Sequence, residues 1–156
     1  MLEGIVNFSD PLFQKAVLVI VLTPVIWNII ARLEYYTHIL TKLFCGNKYY
    51  GCYALATYIF LFSAYRDYLF KQAIEAQPQW SLLVSFSPYT QYIGYILGAI
   101  GTVFVLSSMW ALGITGTYLG DYFGILMDAP VTGFPFNVLN DPMYDGATMC
   151  FLAQAL

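Results

Sequence analysis

The stretch that decides the fold is IGYILGAIGTVFVLSSMWA, residues Ile93–Ala111, which contains no Asp, Glu, Lys or Arg. Ionised side chains are costly at the centre of a bilayer, and about 20 consecutive apolar residues in a helix span its hydrocarbon core. The stretch therefore predicts a transmembrane helix. The charge-free region continues on both sides of it, from Ala76 to Gly120.

The composition of the whole chain supports the same interpretation. The 156 residues are 60% hydrophobic and only 10% charged, with a mean hydropathy of +0.66. A soluble domain carries about 25% charged residues, and a disordered chain is far less apolar. Six basic residues against nine acidic ones give a net charge of −3, which argues against a nucleic-acid partner. The chain is expected to be an integral membrane protein.

Three further apolar segments lie outside the central stretch. We predict an all-α membrane helical bundle in one membrane-embedded domain, residues 1–156, with apolar segments at about 12–31, 49–70, 93–115 and 147–156. The first segment contains Pro24 and either crosses the membrane or re-enters on the same side. The last segment, of ten residues, would rise about 15 Å, half of a hydrocarbon core. We therefore expect it to be the start of a fourth helix in a chain that is incomplete at its C-terminus.

The basic residues give a weak signal for orientation. Residues 32–48 hold Arg32, Lys42 and Lys48 against Glu34. The positive-inside rule predicts that this segment faces the cytosol.

Glycines recur along the third apolar segment, where Gly94 and Gly98 form a GxxxG pair. Such a pair usually permits close packing of one membrane helix on another. The alternative is that a bulky ligand packs against the bare backbone. Both interpretations place a close neighbour on this face of the helix.

Carboxylates and aromatic side chains alternate after the third segment. Residues 76–156 contain four charged side chains, all aspartates: Asp121, Asp128, Asp141 and Asp145. This pattern is typical either of a solvated acidic loop with interfacial aromatics or of a site for a cationic ligand, because aromatic faces and carboxylates both attract cations. Asp141 followed by Pro142 also predicts the start of a helix.

The residues that usually bind metals or form redox pairs are sparse. His38 is the only histidine, and Cys45, Cys52 and Cys150 form no CxxC pair. We predict no metal ligands in this chain.

Residues 106–146 contain two motifs that resemble a known family. The run Gly-Thr-Tyr-Leu-Gly-Asp-Tyr-Phe-Gly-Ile-Leu at 116–126 and the run Phe-Pro-Phe-Asn at 134–137 are similar to the phosphatidylethanolamine N-methyltransferase family, and to its fungal members in particular. Trp27-Asn28, Ala31-Arg32 and Glu34 also resemble what we take to be the first loop of that family. The resemblance covers nearly the whole chain.

The resemblance implies a function and a location. The family moves methyl groups from S-adenosylmethionine to the amine of ethanolamine phospholipids, in the endoplasmic reticulum membrane and also in mitochondrial membranes. Its fungal members mainly perform the last two methylations, which lead from the monomethyl head group to phosphatidylcholine. The implied partners are therefore S-adenosylmethionine, the phospholipid substrate and the bilayer.

Candidate site residues follow from the chemistry of this reaction. The lipid amine must lose a proton before it attacks the sulfonium methyl, and the methylated product is a cation that aromatic faces stabilise. We assign Asp121, Tyr122 and Tyr144 to the head-group side, and Asp141 as a proton acceptor. These are candidate catalytic residues.

The cofactor motif of the family differs in this chain. Its Gly-x-Gly corresponds to Ala99-Ile100-Gly101, and its Asn-Pro-Met-Tyr corresponds to Asp141-Pro142-Met143-Tyr144. The resemblance therefore implies cofactor binding at 99–101.

The adjacent glutamates of the family would follow Leu156. We therefore expect residues 1–156 alone to be weakly active or inactive. The alternative is a non-catalytic membrane paralogue that binds lipid or a partner subunit.

Overall fold

The computed structural model describes residues 6–78 and 84–156, and all regular structure in these residues is helical. The all-α prediction is confirmed. The helices are α1 Pro11–Thr37, α2 Ile39–Leu43, α3 Lys48–Glu75, α4 Ser87–Thr117 and α5 Pro142–Ala155, with a 3-10 helix at Gly120–Phe123.

Several helices extend beyond the predicted apolar segments. Helix α1 continues past Ala31 to Thr37, α4 begins at Ser87 instead of 93, and α5 begins at Pro142 instead of 147. Hydropathy detects only the part of a helix that is apolar, so polar helical turns at its ends escape it. Arg32 and Glu34, which the sequence assigned to a loop, are therefore helical, and that assignment was wrong.

Side chains and backbone geometry define the helix ends. Asp10 Oδ1 accepts a hydrogen bond from the Phe13 backbone N–H at 2.9 Å, so that Asp10 caps α1 directly before Pro11. Helix α5 begins with Asp141 at the N-cap and Pro142 after it, as predicted. Among the described residues, however, the Asp141 carboxylate accepts no capping hydrogen bond.

Two helices are long and apolar enough to cross a membrane, judged by length and composition over the described residues. They are α1 and the region Ser87–Phe123, which includes α4. Helix α1 has 27 residues and is about 40 Å long, more than the roughly 30 Å of a hydrocarbon core. Helix α3 has 28 residues, but its C-terminal half carries Arg66, Asp67 and Lys71, which lower its hydropathy.

The described residues form two compact units. The central unit comprises residues 14–70 and 112–130, and the terminal unit comprises residues 6–13, 71–78, 84–111 and 131–156. In the central unit, a core cluster joins α1, α3 and the 3-10 helix. Its buried members are Ala31, Cys52, Leu55, Ile59 and Phe123.

In the terminal unit, glycines allow α5 to pack closely on α4. A Cβ atom on Gly101 would lie 2.5 Å from the Gly146 carbonyl oxygen, and one on Gly146 would lie 2.7 Å from the Gly101 oxygen. Gly94 and Gly98 face Ala153 at wider spacing, 3.2 Å and 3.5 Å from its nearest atoms. The predicted helix packing along the glycines of α4 is confirmed.

Candidate functional site

A glycine-rich turn positions the first two candidate residues, Asp121 and Tyr122. Helix α4 is interrupted at Gly113, with φ 66° and ψ 179°, and the 3-10 helix that follows ends at Gly124, with φ 68°. Only glycine adopts such left-handed conformations without strain. At Gly120 the reason is space, because a Cβ atom there would lie 2.6 Å from the Thr115 carbonyl oxygen. The close contact explains the glycine at 120, and the positive φ explains the one at 124, in the 116–126 motif.

The turn is anchored to the core of the central unit. Phe123 is buried, and its ring lies 3.0 Å from where a Cβ atom on Gly51 would stand. Lys48 Nζ donates a hydrogen bond to the Gly124 carbonyl at 3.0 Å, and the Ile125 N–H donates to the Gly120 carbonyl at 2.9 Å. The 3-10 helix is thus held at both ends, and Asp121 and Tyr122 lie on its accessible side.

Asp121 and Tyr122 line a cavity of about 440 Å³ together with Arg32, Tyr35 and Tyr36. We call it the tyrosine cavity. The Tyr35 ring contacts the other two edge to face: its centroid lies 5.3 Å from that of Tyr36 and 6.2 Å from that of Tyr122. Aromatic faces of this kind attract ammonium groups.

The tyrosine cavity contains one positive and one negative side chain. Arg32 and Asp121 are both exposed. Within residues 6–78 and 84–156, neither has an ion-pair partner within 4.0 Å. Arg32 is not within ion-pair distance of Asp121, although both line the same cavity. The two charges are therefore available to groups of opposite sign on a ligand.

Three residues of this cavity were missed as site residues by the sequence interpretation. Arg32, Tyr35 and Tyr36 stand at positions i, i+3 and i+4 of one helix, a spacing that places side chains on one face. The signal was present, but the predicted end of the helix at Ala31 hid it. Between them, Glu34 points the other way and is fully buried.

The Glu34 carboxylate has a structural role at the start of α2. Its Oε2 accepts a hydrogen bond from the Leu40 N–H at 2.7 Å, and its Oε1 accepts one from Thr41 Oγ1 at 2.5 Å. The carboxylate also accepts a hydrogen bond from the Thr41 N–H at 3.3 Å. Together with the Leu40 bond, this satisfies two N-terminal backbone donors that a short helix leaves without partners. Glu34 thereby fixes the chain that leaves α1.

The other two head-group candidates, Asp141 and Tyr144, belong to the terminal unit. Both are exposed at the start of α5, and neither lines the tyrosine cavity. The predicted set of four therefore divides between the two units.

The predicted cofactor segment lies on α4. Ala99 and Ile100 are exposed, whereas Gly101 is buried beneath α5. A groove of about 620 Å³ runs beside this segment, and Gly98 and Thr102, which flank it, line the groove with Gly94, Cys150 and other residues. The polar side chains Gln91 and Gln154 also line it. We call it the glycine groove.

No group of three His, Cys, Asp or Glu side chains in the described part of the chain could hold a metal ion.

Comparison with known proteins agrees with the motifs. A family described as "Phospholipid methyltransferase" matches residues 89–156. The phosphatidyl-N-methylethanolamine N-methyltransferase of Emericella nidulans is 52% identical over 155 residues, which cover 99% of this chain and 74% of the relative. The enzyme of the same name from Saccharomyces cerevisiae is 51% identical, over 97% of this chain and 72% of the relative.

The similarity extends to animal proteins. The phosphatidylethanolamine N-methyltransferase of Rattus norvegicus is 47% identical over 99% of this chain and 76% of the relative. No solved structure matches. Identity at this level over nearly the whole chain shows that the chain belongs to the phospholipid methyltransferase family.

Proposed function

We propose that this chain catalyses the N-methylation of ethanolamine phospholipids with S-adenosylmethionine, converting the monomethyl and dimethyl head groups to that of phosphatidylcholine. The observation that carries the proposal is its identity of about one half, over nearly its whole length, with enzymes named for the monomethyl substrate. The chain is a phospholipid N-methyltransferase by homology, and the finer substrate preference is our proposal.

The tyrosine cavity supplies the chemistry that the lipid amine needs. The Asp121 carboxylate attracts the ammonium form of the amine and accepts the proton that must leave before attack. The rings of Tyr35, Tyr36 and Tyr122 then face a cationic product, whose positive charge becomes permanent at the trimethyl stage. Orienting the amine is the main contribution of the protein, because the displacement needs no covalent help from it.

The glycine groove suits S-adenosylmethionine, which supplies the sulfonium methyl. Its volume lies within the range of about 300–1,000 Å³ usual for small-molecule sites. Gln91, Thr102 and Gln154 offer hydrogen-bonding groups in its lining. We assign the cofactor to the Ala99–Gly101 segment and this groove. Tyr144 and Asp141 remain proposed head-group residues of the terminal unit.

We further propose that α1, α3 and α4 cross the endoplasmic reticulum membrane and that α5 begins a fourth crossing. The lengths of these helices permit it, and the location is inferred from the family. A substrate that is itself a membrane lipid requires that the enzyme reach a membrane.

The test uses yeast microsomes that lack their own phospholipid methyltransferases. The chain is expressed there, labelled S-adenosylmethionine and monomethyl phosphatidylethanolamine are added, and label is counted in the lipids. We expect weak but measurable label in the dimethyl and trimethyl lipids, in keeping with the low activity expected from the sequence, and less of it with Asp121→Asn. If the membrane-inserted chain gives no label, residues 1–156 are not a complete enzyme, and the non-catalytic alternative gains support.

A further inference from the structure

A second, apolar groove on α1 adjoins the tyrosine cavity. It measures about 350 Å³ and is lined by Pro24, Val25, Asn28, Ile29 and Arg32. Val25 and Ile29 are 48% and 53% exposed. The one amide in the groove is already engaged, because Asn28 Nδ2 donates to the Pro24 carbonyl at 2.8 Å. We call this surface the α1 groove.

Arg32 lines both the α1 groove and the tyrosine cavity. The two cavities therefore border the same side chain. Along this path the surface is first apolar, then cationic at Arg32, and then aromatic and anionic at the tyrosines and Asp121. A phospholipid with an amino head group presents an acyl chain, a phosphate and an ammonium group in the same order.

We propose that the central unit binds one ethanolamine phospholipid along this path, with an acyl chain in the α1 groove, the phosphate on Arg32 and the amine beside Asp121. The inference rests on the proposed function for the identity of the amine. Arg32 becomes a binding residue that positions the head group. Its guanidinium suits this role because its planar donors match the oxygens of a phosphate.

The dimensions of the path agree with such a ligand. Pro24 and Arg32 are eight residues apart on α1, a rise of about 12 Å, which accommodates several methylene groups. Tyr36 lies four residues beyond Arg32, about 6 Å further along the helix. The head group therefore begins where the apolar lining ends.

A binding experiment without S-adenosylmethionine tests the proposal independently of catalysis. The full chain in detergent is titrated with three short-chain lipids. The first is dihexanoyl phosphatidyl-N-methylethanolamine, which has both charges, and the second is dihexanoyl phosphatidylmethanol, which has only the phosphate. The third is the sarcosine ester of dihexanoylglycerol, which has only the amine. Binding is followed by native mass spectrometry.

The proposal predicts that two substitutions act on different ligands. Arg32→Gln should weaken the two phosphate lipids about tenfold, the effect of one charge-assisted hydrogen bond, and leave the sarcosine ester within about twofold. Asp121→Asn should weaken the two amine lipids by a similar factor and leave phosphatidylmethanol nearly unchanged. Arg32→Lys should restore part of the phosphate affinity because it keeps the charge.

Control variants separate these effects from general changes in charge or folding. Lys71→Gln and Glu75→Gln remove a cation and an anion of an exposed pair, 3.8 Å apart, and should leave all three affinities unchanged. Ile29→Trp should fill the α1 groove and weaken every ligand. Ile26→Trp, at an exposed position outside the groove, should not.

Two results would overturn the proposal. Equal loss of all three ligands in Arg32→Gln would show a structural role for Arg32, and unchanged phosphate affinity would place the phosphate elsewhere. Ligand-specific losses in a chain that transfers no methyl group would support the lipid site and count against the proposed function alone. If the chain transfers methyl groups and Arg32→Gln leaves all lipid affinities unaltered, the result would support the proposed function and count against the lipid site.

Discussion

Two glycines on α4 have different neighbours although they lie three residues apart. At Gly101 a Cβ atom would lie 2.5 Å from the Gly146 oxygen and 2.9 Å from Cys150 Sγ, whereas at Gly98 it would meet only Ala153 Cβ at 3.5 Å. The Gly146 oxygen belongs to the backbone and cannot move aside as a flexible side chain can. We predict that Gly101→Ala destabilises the fold by about 1–3 kcal/mol.

Gly98→Ala is the matched control for this prediction. Its contact is ordinary, and alanine favours a helix over glycine by about 0.5–1 kcal/mol, so stability should hold or rise. Thermal unfolding in detergent measures both variants. An unchanged midpoint for Gly101→Ala would show that α5 does not pack on α4 as closely as described.

The buried Glu34 carboxylate gives a second prediction for a single residue. Glu34→Ala leaves the Leu40 and Thr41 donors without their acceptor, at a cost of about 1–3 kcal/mol. Glu34→Gln keeps an oxygen for the Leu40 N–H and an amide for the Thr41 hydroxyl, so it should lose clearly less stability. Equal losses measured by thermal unfolding would mean that the negative charge, rather than the hydrogen bonds, stabilises α2.

At the scale of elements, the 3-10 turn links glycine conformation to the proposed site. Gly124 has φ 68°, and an alanine there costs about 1–2 kcal/mol, whereas asparagine adopts this conformation more readily. We predict that Gly124→Ala lowers methyl transfer by displacing Asp121 and that Gly124→Asn retains more of it. The microsome assay, normalised to protein amount, compares them. Equal activity of Gly124→Ala and the wild type would separate the turn from catalysis.

The elements that hydropathy governs could be predicted from the sequence, and those that side-chain contacts create could not. Helix α4 could be located from the stretch without charged residues between Ala76 and Gly120. The five-residue α2 escaped because Glu34, distant by six residues from Leu40, supplies its cap. Asp121 and Tyr122 were assigned to the site from their chemistry, and both line a cavity. Arg32 was not assigned to the site, because the apolar pattern of α1 ends before the helix does.

At the scale of the whole molecule, the charge distribution predicts how the chain lies in the membrane. Helix α1 is long enough to cross, the segment between α1 and α3 carries Lys42, and Lys48 begins α3. Juxtamembrane basic residues favour the cytosolic side. Cys45 lies in this segment and is exposed, whereas Cys52 is buried and lies 3.7 Å from the Tyr118 carbonyl oxygen.

These two cysteines make the orientation measurable. In a Cys150→Ser background, a membrane-impermeant maleimide added to intact, right-side-out microsomes should label Cys45 rapidly. Cys45→Ser should abolish the label, and Cys52→Ala should retain it, because burial protects Cys52 until the chain is denatured. Labelling of Cys45 only after the membrane is permeabilised would place this segment in the lumen. The tyrosine cavity, which includes Arg32 near the end of α1, would then receive its lipid from the luminal leaflet.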